Sequence, residues 1–419
     1  MHRRRTLPAL LLVVALVAGC SGSSGSDASA EGPATGEAVG SATTTTTTEP
    51  TVEVEVYEGD DDGFYAVPDP LPDAPHGTLI RSQRVPEADP EGAEAYRIMY
   101  LSESVLDEPI AVTGLATVPI ADAPEGGRPM MTTAHGTTGI ADECAPSKEL
   151  APNEGTLVRA AFADEAIVAS TDYEGLGTPG RHPYLVGESE GRSVIDALLA
   201  ARQLPDAEAG DRFGIAGYSQ GGHGALWAAE VSAEWAPDLE LVGTFSGAPA
   251  SEVGILLAAA YRLPQAGFAY MVIAGIAEAY DADPGIVLTD RGVGLLDAVD
   301  EGCARDTFAA VSGIPVEELV RPGGSGEEPW ATLGPAQDAG TRKTNDAPVL
   351  IIHSRQDETV PLFFSEAVTE RMCAEGITVE RRLLDEGSHG GAAPEAYRQA
   401  MDWMHDRFAG EGEPASTCP

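Results

Sequence analysis

The sequence predicts an α/β fold, a mostly parallel sheet with helices on both faces and an inserted helical segment, and three observations carry that expectation. Short apolar runs bounded by turn residues alternate with helix-like stretches. A glycine-rich corner, Gly217-Tyr218-Ser219-Gln220-Gly221-Gly222, joins one such run to a helix. A long segment, 251–345, then intervenes before the next strand-like run. In order, the expected strands are Tyr96 to Leu101, Ile110 to Val118, Arg128 to Ala134 and Ala166 to Thr171, followed by a helix over Arg192 to Leu204. Phe213 to Ala216 leads into the corner, and the helix-like run around Ala225 to Ala229 leaves it. Leu241 to Ser246, Pro348 to His353 and Thr378 to Leu384 complete the strands. The last helix, Pro394 to Phe408, places Tyr397, Met401, Met404 and Phe408 on one face at helical spacing, which marks core.

A strand, a tight turn with a serine at its apex and a helix form a nucleophile elbow, in which the hydroxyl stands above the sheet on strained backbone and glycines flank it for lack of room. Ser219 is the candidate nucleophile. Such a serine needs a base and an orienting acid, and in α/β-hydrolases these follow in the order acid, then histidine. Asp357 lies in the loop after Pro348 to His353, and His389 in the glycine-flanked loop after Thr378 to Leu384. Glu358 competes with Asp357 as orienter, and His353 and His223 sit in strand-like and helix-like sequence, where a structural role is the expectation. The developing oxyanion requires backbone donors: Gln220 supplies one, and the turn His135-Gly136-Thr137-Thr138-Gly139 supplies the other from Thr137 or Thr138. No HExxH, paired CxxC or EF-hand spacing occurs, so neither a metal nor a cofactor is expected.

Met1 to Arg5 is basic, Leu7 to Val17 is a short apolar run, and Val17-Ala18-Gly19-Cys20 has the form of a bacterial lipobox. The chain thus reads as exported, with diacylglycerol on Cys20 anchoring it to the outer face of the cell membrane, or released. Ser21 to Pro50, with its tract Thr43 to Thr48, has too few large apolar side chains to bury a core and reads as a tether. The organisation expected is a leader over 1–19, a lipidated disordered tether over 20–60, a core over 61–250 and 346–419, and a helical cap over 251–345. A net charge of −42 excludes nucleic acid as a partner and favours neutral or cationic substrates. Four cysteines remain after Cys20, namely Cys144, Cys303, Cys373 and Cys418, an even number suited to an oxidising compartment with three possible pairings. Within the insertion, Val253 to Leu263 and Gln265 to Tyr280 are almost wholly apolar, are separated by Pro264, and are each too short to span a bilayer. They read as cap helices lining an apolar binding pocket.

The run from His135 to Gly139, the segment Cys144-Ala145-Pro146-Ser147, the segment Asp172-Tyr173-Glu174-Gly175-Leu176-Gly177, the serine corner and the Asp357 and His389 loops together resemble the secretory lipase family, over roughly residues 65 to 408. The resemblance implies an α/β-hydrolase core, a cap inserted before the aspartate strand, and hydrolysis of carboxylic esters, including acylglycerols. It also implies the pairings Cys144 with Cys303 and Cys373 with Cys418. The serine loop and the residue preceding the oxyanion donor differ from those of the better-known fungal members.

Overall fold

The structure, a computed structural model, describes residues 52–259 and 266–419. The leader, Cys20, the tether up to residue 51 and Pro264 lie outside the described residues. The first half of the chain runs β1 (Glu55–Val56), α1 (Asp61–Phe64), β2 (Leu79–Arg84), β3 (Ala93–Glu103), β4 (Pro109–Pro119), β5 (Arg128–Ala134), α2 (Pro146–Glu149), α3 (Glu154–Ala161), β6 (Ile167–Thr171), α4 (Gly187–Ala201), β7 (Ala209–Tyr218), α5 (Gln220–Trp235) and β8 (Glu240–Gly247). The insertion carries α6 (Val253–Ala259), α7 (Ala266–Tyr280), α8 (Asp290–Val293), α9 (Ala304–Val311) and α10 (Trp330–Ala336). The chain then returns through β9 (Val349–Ser354), α11 (Leu362–Ala374), β10 (Val379–Leu384) and α12 (His389–Ala409).

The strands form one sheet in the order β1-β2-β3-β4-β6-β5-β7-β8-β9-β10. Pairing is antiparallel from β2 through β3 and β4 to β6, and parallel elsewhere. Alternate residues of the central strands feed two cores, because successive side chains of a strand point to opposite faces. Met130, Ile215 and Ile351 pack with α4, α5 and α11, while Met131, Ala216, Leu350 and Ile352 pack with α3 and α12. Tyr397, Met401 and Met404 belong to the second core, where the sequence pattern puts them.

Three expectations change. Residues 55 to 57, assigned to the tether, are ordered: Glu55 and Val56 pair with Arg81 and Ser82, and the Tyr57 amide donates to the Ser82 carbonyl. The Arg81 guanidinium holds this edge by pairing with Glu55 and stacking over the Tyr57 ring. β2 escapes sequence reading because its polar residues resemble a loop; Arg81 is nevertheless buried, with the Phe64 and Ala66 carbonyls accepting from its Nη1. His389 opens α12 itself rather than preceding it, because Ser388 caps the helix by accepting from the Gly391 amide, and Pro394 is accommodated inside.

Tyr270, Met271, Ile273 and Ile276 of α7 are packed in one cluster with Trp330, Leu288 and the core residues Tyr184 to Val186. A helix apolar on all sides is buried on all sides. Gly275 permits the approach, since a Cβ there would lie 2.4 Å from the Tyr184 nitrogen. Among the described residues no helix is long and apolar enough to cross a membrane, and no group of side chains has the makings of a metal site.

Disulfides join Cys144 to Cys303 and Cys373 to Cys418. The second fixes the C-terminal tail beside β10, where the Thr417 amide donates to the Val379 carbonyl and the Arg381 amide donates to Thr417 Oγ1. Replacing both Cys373 and Cys418 by serine is expected to cost about 2–4 kcal/mol in urea unfolding, through the freed loop in the unfolded chain. Unchanged unfolding would show that the tail is held without the bond.

Candidate active site

β7 ends at Tyr218 and α5 begins at Gln220, so Ser219 alone makes the turn, with φ 62° and ψ −119°. That conformation is costly for a residue with a Cβ and persists because its surroundings determine it. A Cβ on Gly217 would lie 1.9 Å from the Gly221 carbonyl oxygen, and one on Gly221 would lie 2.0 Å from that of Ala134. The glycines of the corner are therefore required by backbone packed against backbone. The Ser219 amide donates to the Gly247 carbonyl on β8, which ties the turn to the sheet.

The ends of β7, β9 and β10 bring the three expected residues together. Ser219 Oγ lies 2.9 Å from His389 Nε2, and His389 Nδ1 lies 2.7 Å from Asp357 Oδ2. The other carboxylate oxygen, Oδ1, accepts from the Thr359 and Val360 amides at 2.9 and 2.8 Å. Burial opposes charge on Asp357, but hydrogen bonds from His353 and His389 outweigh it and hold the carboxyl well below its usual range. Glu358, the competing orienter, is used otherwise: its Oε2 accepts from the His389 backbone amide, at the exposed N-terminus of α12. Tyr218 donates its hydroxyl to the His389 carbonyl at 2.7 Å, so the strand before the serine also holds the histidine.

Gln220 is the first residue of α5, so its backbone N–H has no partner within the helix. Its side chain is fixed below the corner, where Nε2 lies 2.9 Å from Glu190 Oε1 and 3.0 Å from His182 Nε2. Burial pushes His182 down to about 3, and its Nδ1 donates to the Glu174 carbonyl, which leaves Nε2 to accept from Gln220. Glu190 also accepts from His223 Nδ1 at 2.7 Å, and His223 Nε2 donates to the Gln337 carbonyl at the end of α10. Burial works against a charged His223, yet Glu190 and Gln337 together hold its pKa above the ordinary value.

The turn from His135 to Gly139 lies beside Gly221, for both the Ala134 and His135 carbonyls approach that residue. His135 is buried, with Nδ1 and Nε2 facing the Gly136 and Asp172 carbonyls. Thr137 Oγ1 bonds the Tyr184 hydroxyl, and the Thr138 carbonyl accepts from the Ala304 amide in the cap. The Cys144–Cys303 disulfide closes the same joint, and Gly139 is required there because a Cβ would lie 2.7 Å from Cys144 Sγ. Asp172 and Ser147, from the two other segments singled out by sequence, are bonded to each other in a buried cluster with Thr113. Sequence assigns Tyr218 and Glu190 no partner and His353 and His223 only a structural role, since the partners of Tyr218, Glu190 and His223 lie far along the chain.

The depressed carboxyl of Asp357 makes a stability prediction. Its folded pKa lies below the ordinary value of about 3.9, so the ionised group stabilises the fold above about pH 4 and this is lost as pH falls further. Asp357→Asn is expected to show a shallower loss of stability than the natural protein between about pH 5 and about pH 2 in urea unfolding. Parallel losses in the two proteins would remove that role from Asp357.

The family model for secretory lipases matches residues 150–320. Along most of its length the chain is similar to a secreted triacylglycerol lipase of Malassezia restricta, with 27% identity over 386 residues covering 84% of this chain and 80% of that protein. It is also similar to a probable inactive lipase of Mycobacterium tuberculosis, with 26% identity over 380 residues covering 84% and 82% of the two chains. Among solved structures, lipase A of Candida antarctica superposes with a TM-score of 0.74 at 21% identity, covering 85% of this chain and 88% of that one. A rice cell wall degrading esterase from Xanthomonas oryzae superposes with a TM-score of 0.64 at 20% identity, covering 80% and 99%. With the α/β-hydrolase architecture and the serine corner in place, the chain is similar to the secretory lipases, over residues 150–320 by the family model and along most of its length by its relatives.

Proposed function

We propose that this chain is a serine-dependent carboxylic ester hydrolase, a lipase or esterase acting on acylglycerols or other apolar esters through an acyl-enzyme. The continuous hydrogen-bonded path from Ser219 Oγ through His389 to Asp357 carries the reading. His389 Nε2 takes the hydroxyl proton as Ser219 Oγ bonds the ester carbonyl carbon. The oxyanion is received by backbone N–H groups of Gln220 and of the Thr137 and Thr138 turn, and each such donor is worth about 100- to 1000-fold in rate. Collapse breaks the bond to the alcohol, whose oxygen takes the proton from Nε2. Water then attacks the acyl-enzyme with the same histidine as base, and the free acid leaves.

The order of serine, aspartate and histidine, the strained corner and the lipase relatives support this reading. One relative carries the description of an inactive lipase, but here the hydroxyl, imidazole and carboxylate lie within hydrogen-bonding distance, as turnover requires. The leader-like N-terminus and the secreted relatives support export, and Cys20 is the proposed lipid attachment, the chain's one membrane contact. The acidic surface supports neutral ester substrates over anionic ones.

The test is hydrolysis of p-nitrophenyl esters from acetate to palmitate by residues 51–419. Ser219→Ala is expected to lower kcat by about 10⁴-fold or more. Turnover is also expected to fall in acid as His389 takes up a proton and can no longer accept one from Ser219. A flat profile between about pH 5 and about pH 8 would exclude His389 as the base. No turnover on any of these esters would point to a peptidase, a narrow sugar esterase or a binding protein built on the same fold.

A further inference from the structure

A second histidine touches the aspartate of the site. His353 lies near the end of β9, paired with Leu383 of β10, and its side chain is wholly buried. Its Nε2 is 3.2 Å from Asp357 Oδ2 and 3.2 Å from the Val360 carbonyl oxygen. A carbonyl cannot donate, and Asp357 is held ionised, so the hydrogen belongs to Nε2 of His353. Its Nδ1 is buried with no partner. A hydrogen on Nδ1 would be a buried donor left unsatisfied, whereas a bare ring nitrogen costs less there, and the tautomer is thereby fixed.

The oxygen that receives this hydrogen is Oδ2, the same one that accepts from His389 Nδ1. Two imidazoles thus share one carboxylate oxygen, while Oδ1 is taken by two backbone amides. We propose that His353 is a positioning residue of the site: its Nε2–H holds the Asp357 carboxylate in the plane facing His389 and draws charge from Oδ2, so that His389 is not held too firmly as imidazolium. The role rests on the proposed function; the hydrogen bond itself does not. A hydrogen bond to the charged form of a group stabilises that form, so removing it makes Asp357 a stronger attractor of the His389 proton. The other polar groups facing His389 are Ser219 and Tyr218 from the β7 corner and Glu358 from the Asp357 loop, with Glu154 of α3 acting on Tyr218. None of these is changed by substitution at 353.

The experiment is NMR titration of the His389 ring in histidine-labelled protein, for the natural chain, His353→Phe and His353→Gln, beside the pH dependence of kcat and KM. In His353→Phe the His389 titration is expected to move to higher pH by about half to one unit, a three- to tenfold change in acid dissociation. The acid limb of turnover should follow it, kcat should fall about tenfold and KM should hold. His353→Gln, which keeps a side-chain N–H, should restore most of both. An unmoved His389 titration in a folded His353→Phe protein would overturn the proposal, as would a loss of kcat that glutamine does not repair. Should His353→Phe fail to fold, ring nitrogen shifts in the natural protein decide it: a hydrogen on Nε2 supports the bond to Asp357, and one on Nδ1 overturns it. A shifted titration without ester turnover in the natural chain would remove the proposed reaction and leave the His353–Asp357 link standing.

Discussion

Backbone packed on backbone at the serine corner sets the geometry of everything around it. The left-handed conformation of Ser219 would relax if the chain on either side had room, but Gly217 lies against Gly221, Gly221 against Ala134, and Gly222 against the Gly247 carbonyl. These contacts fix three segments relative to one another: the end of β5, the start of α5 and the end of β8. The helix start, with its free N–H on Gln220, and the turn at Thr137 and Thr138 are consequently placed beside one another. Strain at one residue is maintained by close packing at several, which is how such conformations survive in folded proteins.

Under that corner lies a set of polar groups that an apolar core would not tolerate unpaired. Glu190 and His223 are completely buried, and each bond they make leads to a different element: Gln220 at the start of α5, Leu185 in the loop before α4, and Gln337 at the end of α10. Breaking one member would strand the others, at a cost of about 3–5 kcal/mol for a buried pair. The network therefore ties the cap to the helix that follows the serine. The Trp227 indole reinforces the joint, donating to the same Gln337 carbonyl as His223.

A second joint binds the cap to the turn at Thr137 and Thr138. The Cys144–Cys303 disulfide, the Ala304 amide on the Thr138 carbonyl and the Tyr184 hydroxyl on Thr137 surround one short loop. This gives a physical role to the segments around Cys144 and Asp172. Cys144 supplies the bond, and Ser147 and Asp172 join the two segments beneath it. Together these contacts hold the turn at Thr137 and Thr138 in place.

By itself the sequence determined the alternating architecture, the elbow, and that Ser219, Asp357 and His389 come together, because each depends on local pattern and chain order. Glycines around a serine, a loop after an apolar strand and a histidine between a strand and the body of a helix are visible without knowing what lies opposite. It also singled out the turn from His135 to Gly139, which lies beside the serine corner. What only the tertiary structure decided depends on partners far apart in the chain. Polar β2 is a strand because Arg81 finds Glu55 and two carbonyls; Glu358 serves a helix end because the Asp357 loop meets α12; and the cap helices fill their own core because Trp330 and Tyr184 close around α7. His353 shows the difference most directly: in sequence it is one apolar-strand histidine among buried neighbours, and in space it shares the Asp357 oxygen with His389, since a strand end and its following loop fold back on each other.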